Sequence, residues 1–236
     1  MCTAPPNKRP GRVPLGRALS KLGLLSRAQS AIAIRGGRVR VDGRTVRDPV
    51  TLVVPERARI SIDGESRTRA AWRTILLHKP RGVVTTRSDP DGRRTVFDVI
   101  GDAARGLVAV GRLDLASTGA LLLTTDTQLA NWITDPANVV PRVYAVTVRG
   151  LVTDADASRL PAHRATVRKA SNRESHLIVE LRQGRNREIR RMFDAIGRSV
   201  TRLKRVSIGG LELGDLEPGR WRAVTKDEVR AAFRGS

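Results

Sequence analysis

The segment GRLDLASTGALLLTTD, residues 111–126, joins two stretches that have the composition of buried β-strands. The first, GLVAV (106–110), ends at Gly111, and the second begins with ALLL (120–123). The residues between them are mostly small or polar, which is typical of a tight loop between strands. The segment therefore predicts two buried strands joined by a loop that holds one carboxylate, Asp114.

The charge of the chain indicates a polyanionic partner. Its 236 residues include 44 lysines and arginines against 23 aspartates and glutamates, a formal net charge of +21. Such an excess repels itself, and nucleic acid is its usual partner. No apolar run approaches the ~18 residues of a membrane span, so we expect no membrane partner. The single cysteine, Cys2, and the lack of an apolar signal core in residues 1–12 predict a cytoplasmic protein.

Motifs for several common chemistries are missing from the sequence. There is no glycine-rich nucleotide loop, no C-x-x-C and no H-E-x-x-H. The three histidines, His78, His163 and His176, do not have the spacing of metal ligands. We therefore predict that the protein uses neither a nucleotide cofactor nor a metal ion.

The first third of the chain predicts a small separate unit after a flexible basic tail, residues 1–12. Apolar residues recur at helical spacing from Leu15 to Leu22, and a second helix ends before Gly36. Alternating arginine and valine in 38–46, with Asp-Gly at the turn, predict a β-hairpin. With a further strand at 58–63, these elements predict a helix–helix–hairpin domain over 13–63, followed by a polar linker at 64–72.

Residues 73–236 predict a larger domain in which strands outnumber helices. Because strands and helices do not alternate regularly, we assign the α+β class with a mixed or largely antiparallel sheet. Helices are predicted at 127–134 and 187–196. The predicted strands are 74–78, 106–110, 120–124, 143–149, 176–182 and 200–206.

Asp114 and Tyr144 each have a structural and a functional interpretation. A loop aspartate most often hydrogen-bonds to its own turn, and a strand tyrosine most often fills a core. Tyr144 is the only tyrosine of the chain. Spacing alone leaves both alternatives open.

The helix predicted within GRNREIRRMFDAIG (184–197) has one apolar face, defined by Ile189, Met192, Phe193 and Ile196. At about 100° per residue, Arg187 and Arg191 point away from that face. They belong to a solvated basic face or contact phosphates. Arg190 lies at the edge of the apolar face, where its guanidinium could reach a carboxylate in a cleft while its stem packs on the core.

Several motifs together resemble the bacterial ribosomal RNA pseudouridine synthases of the RsuA type, and they occur in the same order. The N-terminal unit is similar to the alpha-L RNA-binding module of that family. The resemblance covers nearly the whole chain from about residue 13. The motifs are HKPRGVVTT (78–86), DPDGRRTVFDV (89–99), GRLDLASTGALLLTTD (111–126), RVYAV (142–146) and GRNREIRRMFDAIG (184–197).

The resemblance implies the role of three residues. Asp114 matches the catalytic aspartate of the family, Tyr144 the tyrosine that packs on the target base, and Arg190 the basic residue that pairs with the aspartate. The other arginines would bind RNA phosphates and supply salt-dependent affinity. The residues predicted to bind RNA are Arg27, Arg35, Arg38, Arg40, Arg112, Arg185, Arg187 and Arg191.

The implied activity is isomerisation of a specific uridine to pseudouridine in ribosomal RNA, without a cofactor, by a monomer. DPDGRRTVFDV and GRNREIRR are most similar to the branch that acts on large-subunit rRNA. The alternatives are a small-subunit rRNA synthase and a non-catalytic RNA-binding or ribosome-assembly protein. A methyltransferase with the same N-terminal module lacks support because no glycine-rich cofactor loop follows a strand. The substrate could be free rRNA or an assembling ribosomal particle.

One segment departs from the family pattern. The interval between Tyr144 and Gly184 is short, and a family segment is missing around RLPAHRATV (159–167). We expect a trimmed peripheral strand or loop at this place.

Overall fold

The computed structural model describes residues 11–25, 27–55, 57–67 and 71–233. It divides into two compact units. The N-terminal unit extends to Trp72 and also includes Gly106–Val108 and Thr125–Gln128. The large unit contains the other residues from Arg73 onward. Within the described ranges, no helix combines the length and apolar character needed to cross a membrane.

The N-terminal unit consists of two short helices and short antiparallel strands. Its elements are β1 (Val13–Pro14), α1 (Leu15–Lys21), α2 (Arg27–Arg35), β2 (Val39–Val41), β3 (Arg44–Thr45), β4 (Leu52–Val53), β5 (Ile60–Ile62) and β6 (Glu65–Arg67). One sheet has the order β3-β2-β5-β6, and β1 pairs with β4. Leu15, Ala18 and Leu19 are fully buried because they share one face of α1, and they belong to one apolar cluster with Ile34 and Ile60. The predicted helix–helix–hairpin arrangement is confirmed.

The segment predicted to be a linker, 64–72, begins instead with a strand. Asp63 and Gly64, with φ of 55° and 81°, form a two-residue turn, and β6 pairs antiparallel with β5. The polar composition of this segment misled the prediction because β6 is an edge strand, whose side chains need not be apolar. Residues 68–70 lie outside the described residues, as does the predicted tail except Gly11 and Arg12.

The large unit is built on one mixed sheet with the strand order β11-β12-β10-β13-β9-β7-β15. The pairing of β13 with β9 is parallel and the other pairings along this order are antiparallel, so the predicted mixed sheet is confirmed. The elements are β7 (Thr74–Lys79), α3 (Val96–Ile100), β8 (Val108–Ala109), β9 (Thr118–Thr124), α4 (Thr127–Thr134), β10 (Arg142–Arg149), α5 (Asp154–Ser158), β11 (Arg164–Ala170), β12 (Glu174–Leu181), α6 (Glu188–Asp194), β13 (Val200–Ile208), β14 (Leu211–Glu212), β15 (Trp221–Ala223) and α7 (Lys226–Ala232).

Three neighbouring strands of this sheet, β13, β9 and β7, position the residues of interest. All six residues of β7 are buried, and β7 pairs with β9. The contact between β9 and β13 depends on Gly119, which has φ of 109° and lies opposite Arg205. A Cβ atom at position 119 would overlap the backbone of Arg205. The two strands can therefore approach this closely only because residue 119 is glycine.

Some predicted elements differ from the structure. The strand expected at 106–110 is reduced to β8, two residues that pair with β9. The trimmed strand or loop expected around 159–167 contains the start of β11, a seven-residue edge strand paired with β12. Four of its seven residues are polar and none is buried, so it lacked the apolar pattern by which buried strands are predicted. The helix expected at 187–196 is shorter, because Arg187 has φ of 50° and precedes α6.

Candidate active site

The loop that carries Asp114 is held by its backbone. Gly111 has φ of 75°, and the Ser117 amide donates a 3.0 Å hydrogen bond to the carbonyl oxygen of Asp114. Thr85 Oγ1 donates a 3.0 Å hydrogen bond to the Leu113 carbonyl oxygen, and the Gly82 amide donates at 2.9 Å to that of Leu115. These contacts fix the loop on both sides of Asp114 through main-chain atoms.

The Asp114 carboxylate takes no part in holding the loop. No hydrogen bond or ion pair within 4.0 Å joins this carboxylate to any residue that the structure describes. The side chain is half-buried and lines a cleft. This geometry contradicts the alternative in which Asp114 caps its own turn, and it leaves both carboxylate oxygens available to a ligand.

The cleft has a volume of about 930 Å³ and brings Asp114 and Tyr144 together. Tyr144 lies on β10, between Val179 on β12 and Arg205 on β13, and is 9% exposed. The cleft volume lies within the range of ligand pockets. A planar ligand in this cleft would have an aromatic face and a carboxylate as neighbours.

Positive charge predominates among the residues that line the cleft. The lining contains five arginines and two carboxylates, those of Asp114 and Glu188. Glu188 already accepts a 3.0 Å hydrogen bond from the Arg185 amide. Such a surface suits a ligand with phosphate groups. The five arginines are Arg112, Arg142, Arg185, Arg187 and Arg205.

Arg190 lies next to this cleft but is not among the residues that line it. Its Nη1 donates a 2.9 Å hydrogen bond to the Val200 carbonyl oxygen, and its Nε is buried without a hydrogen-bond partner among the residues that the structure describes. Burial lowers the pKa of Arg190, the charge of Arg187 lowers it further, and the charge of Asp114 opposes both effects. Arg190 thus acts on Asp114 through its electric field, and no contact within 4.0 Å joins the two in the described part of the chain.

The apolar face predicted for this helix is only partly correct. Ile189, Met192 and Phe193 are buried, whereas Ile196 is 40% exposed because α6 ends at Asp194. Arg191 is exposed and lies outside the cleft lining, on the solvated side of α6.

Lys79 supports the loop of Asp114 from outside the cleft lining, and the sequence analysis missed it. Although fully buried, it lies at the end of β7, where its Nζ donates hydrogen bonds to the carbonyl oxygens of Pro80 (3.0 Å) and Ser117 (2.9 Å). Burial lowers the pKa of Lys79 to about 8, and the charge of Asp114 counteracts part of this effect. The signal in the sequence is a lysine that directly continues an apolar strand, TILLHK.

Arg142 and Arg205, on the neighbouring strands β10 and β13, were also missed. Arg142 donates hydrogen bonds of 2.9 Å to the carbonyl oxygens of Val140 and Ile133. Burial lowers the pKa of Arg142, and so does the nearby charge of Arg205. Both arginines occur in segments that resemble ordinary strands, so their sequence pattern does not distinguish them from surface residues.

The arginines predicted to bind RNA in the N-terminal unit are all exposed, but they are not equivalent. Arg38 donates two hydrogen bonds, of 2.7 and 2.5 Å, to the carboxylate of Asp63. Arg27, Arg35 and Arg40 have no carboxylate within 4.0 Å among the described residues. Arg38 is therefore already neutralised, whereas the other three are available to phosphates.

In the described ranges there is no group of three or more histidine, cysteine, aspartate or glutamate side chains that could hold a metal ion. His78 is buried and its Nδ1 is 2.6 Å from the Leu216 carbonyl oxygen, which gives it a structural hydrogen bond. What the cleft offers is a free carboxylate, an aromatic side chain and several guanidinium groups. These suit nucleophilic or electrostatic catalysis on an anionic, planar substrate.

Comparison with known proteins identifies relatives over nearly the whole chain. A family model described as RNA pseudouridylate synthase matches residues 73–195, and an S4 domain model matches residues 13–57. An uncharacterized RNA pseudouridine synthase of Aquifex aeolicus is 34% identical over 235 residues, which are 94% of each chain. Ribosomal large subunit pseudouridine synthase B of Escherichia coli K12 is 38% identical over 226 residues, 88% of this chain and 77% of that protein. A crystal structure of a pseudouridylate synthase superposes with a TM-score of 0.64 at 27% identity, covering 94% of this chain and 99% of the other.

Proposed function

Because this chain belongs to the RNA pseudouridylate synthase family, we propose that it converts a specific uridine of large-subunit ribosomal RNA into pseudouridine. The similarity to the large-subunit synthase of E. coli supports this choice of substrate over small-subunit rRNA. The single observation that carries the proposal is the Asp114 carboxylate, which has no hydrogen-bond or ion-pair partner among the described residues and lies in an arginine-lined cleft with Tyr144.

The reaction breaks the N1–C1′ bond of uridine, turns the uracil and joins its C5 to C1′. C5 loses a proton and N1 gains one, so the reaction is an isomerisation without a redox change. Asp114 is the nucleophile or the anion that stabilises the cationic sugar. Its free carboxylate oxygens are what either role requires.

The target uridine must leave the RNA stack to reach Asp114. The ring of Tyr144 packs on the displaced base, and contacts of this kind contribute about 1–3 kcal/mol per base. The positive charge of Arg190 attracts the Asp114 carboxylate from beside the cleft. The hydrogen bond from Arg190 to the Val200 carbonyl oxygen positions this charge.

RNA affinity comes from arginines in both units. Arg112, Arg185 and Arg187 line the cleft and bind phosphates close to the target nucleotide. In the N-terminal unit, which matches the S4 domain, exposed arginines follow the RNA backbone. The protein acts as a monomer in the cytoplasm, on rRNA that is free or part of an assembling particle.

The test is tritium release from RNA that carries uridine labelled at C5, because the C5 proton is lost only when the C5–C1′ bond forms. Large-subunit and small-subunit rRNA transcripts are compared under identical conditions. We expect release from the large-subunit transcript. Release from the small-subunit transcript alone would overturn the choice of substrate, and RNA binding without release from either would favour a non-catalytic RNA-binding protein.

A further inference from the structure

Arg205 is a buried cation at the wall of the cleft. It is 2% exposed, and its Nε donates a 2.6 Å hydrogen bond to the carbonyl oxygen of Ala120. Its Nη2 is buried and has no hydrogen-bond partner in the described part of the chain. Buried guanidinium nitrogens without partners are rare, because the lost hydration is not replaced.

The other buried polar atoms without a hydrogen-bond partner among the described residues lie at or next to the same cleft. In the described ranges, the buried side-chain polar atoms without a partner are Ser117 Oγ, Arg190 Nε and Arg205 Nη2. Ser117 and Arg205 line the cleft, and Arg190 follows the lining residue Ile189. Such clustering indicates a site whose partner is a ligand rather than the protein.

Arg205 also lacks a counter-charge. Among the described residues, no carboxylate lies within 4.0 Å of its guanidinium. A second cation, Arg142, lies nearby, and the charge of Arg205 lowers the pKa of Arg142. A buried cation beside a second cation is unfavourable unless an anion joins them during function.

The position of Arg205 identifies the part of the substrate it would meet. Arg205 and Tyr144 are directly opposite each other on β13 and β10. Side chains so paired have Cβ atoms about 4.5–5.5 Å apart. Both side chains line the cleft, so a base that packs on Tyr144, as in the proposed function on which this inference rests, shares the cleft with the Arg205 guanidinium.

The anion that forms at this point is the uracil itself. When the N1–C1′ bond breaks, its electron pair leaves with N1, and the negative charge spreads over N1 and the two carbonyl oxygens. C1′ loses that pair and is stabilised by the Asp114 carboxylate. The uracil anion then forms the C5–C1′ bond with its own electron pair, loses the C5 proton and gains a proton at N1.

We propose that Arg205 is a catalytic residue that stabilises the detached uracil anion through its Nη2, which has no protein partner among the described residues. Preorganised donors of this kind act where charge develops, and loss of one lowers rates by about 10²–10³-fold. Arg205 thereby complements Asp114, because Asp114 neutralises the sugar cation and Arg205 neutralises the base anion.

The experiment compares two substrates in single-turnover reactions with excess full-length enzyme. One RNA carries uridine at the target position and the other 5-fluorouridine, whose base forms a more stable anion because fluorine withdraws electrons. Fluorine cannot leave C5 as a proton does, so this substrate is followed by loss of 5-fluorouridine from the digested RNA. Enzymes compared are the wild type, Arg205→Met, Arg205→Lys and the control Arg202→Met, which alters an exposed arginine of the same strand.

For Arg205→Met we expect the single-turnover rate with uridine to fall by about 100-fold or more. The fall with 5-fluorouridine should be smaller by a factor of at least about ten. Arg205→Lys keeps the charge, so its rates should fall less, but the fall should again be larger with uridine than with 5-fluorouridine. This variant serves as the test if Arg205→Met does not fold. Arg202→Met should match the wild type with both substrates. A merely structural arginine would slow both substrates equally, and that result, or an unchanged rate with uridine, overturns the proposal. Failure of the wild type to form pseudouridine would instead overturn the proposed function, and this inference with it.

Discussion

Lys79 Nζ donates a 2.9 Å hydrogen bond to the carbonyl oxygen of Ser117. The bond joins the end of β7 to the turn formed by residues 114–117. This turn is closed by the hydrogen bond from the Ser117 amide to the Asp114 carbonyl oxygen. The backbone around the free carboxylate is therefore supported by a buried ammonium group. This arrangement has a measurable consequence for stability.

Burial lowers the pKa of Lys79 from 10.5 to about 8. Between these values the unfolded chain binds this proton and the folded protein does not, so the free energy of unfolding rises with pH in this window. We predict that Lys79→Met removes this rise. Urea unfolding at about pH 7.5, 9 and 10 measures it, with Lys169→Met as a control that removes an exposed lysine. The account of Lys79 is wrong if both variants show the same pH dependence.

The close approach of β9 and β13 at Gly119 predicts a large effect of one methyl group. Gly119→Ala should lower the free energy of unfolding by about 3 kcal/mol or more, because the new Cβ overlaps the Arg205 backbone. Gly82→Ala is the matched control: φ is 79°, with no atom within 4 Å of the added Cβ. It should cost only about 1 kcal/mol. Denaturant unfolding checks both, and equal losses would refute the close approach.

Arg190 and Arg191 are neighbours in sequence with different surroundings. Arg190→Met removes the charge that acts on Asp114, and we expect the single-turnover rate to fall about 10–100-fold, or about 1.4–2.8 kcal/mol. Arg191 is exposed, so Arg191→Met should weaken RNA binding and leave the rate at saturating enzyme near the wild-type value. The reverse pattern would mean that Arg191, not Arg190, is the residue beside the aspartate.

A second pair of arginines tests RNA binding by the N-terminal unit. Each lost phosphate contact lowers the slope of log K against log salt concentration by about 0.7–0.9. Arg35→Gln should show such a decrease, whereas Arg38→Gln should change the slope less, because Arg38 is already paired with Asp63. Affinity for rRNA at several salt concentrations measures both slopes. Equal decreases would contradict the distinction between them.

The elements that the sequence predicted well are those with strong local signals. The hairpin turn at Asp42 and Gly43 has φ of 49° and 83°, as an Asp-Gly turn requires. The helical spacing from Leu15 likewise identified the buried face of α1. β11 was missed because an exposed edge strand carries no apolar alternation.

The candidate site was predictable only where a motif marked it. Asp114 and Tyr144 stood in recognisable segments, and the structure brings them to one cleft. Lys79 and Arg205 were not predictable, because their importance depends on burial and on strand pairing between distant segments. Gly119 pairs with Arg205 although the two residues are 86 positions apart in the sequence, and no local sequence pattern predicts such a pairing.

The measurement that tests the central claim most directly is pseudouridine formation by Asp114→Asn in large-subunit rRNA under single-turnover conditions. Asparagine has nearly the same shape, and the Asp114 side chain has no hydrogen bond to lose among the described residues. We predict that the rate falls by at least about 10³-fold, while RNA affinity and the free energy of unfolding stay close to those of the wild type. Pseudouridine formation by Asp114→Asn at a rate near that of the wild type would contradict the assignment of Asp114 as the catalytic carboxylate.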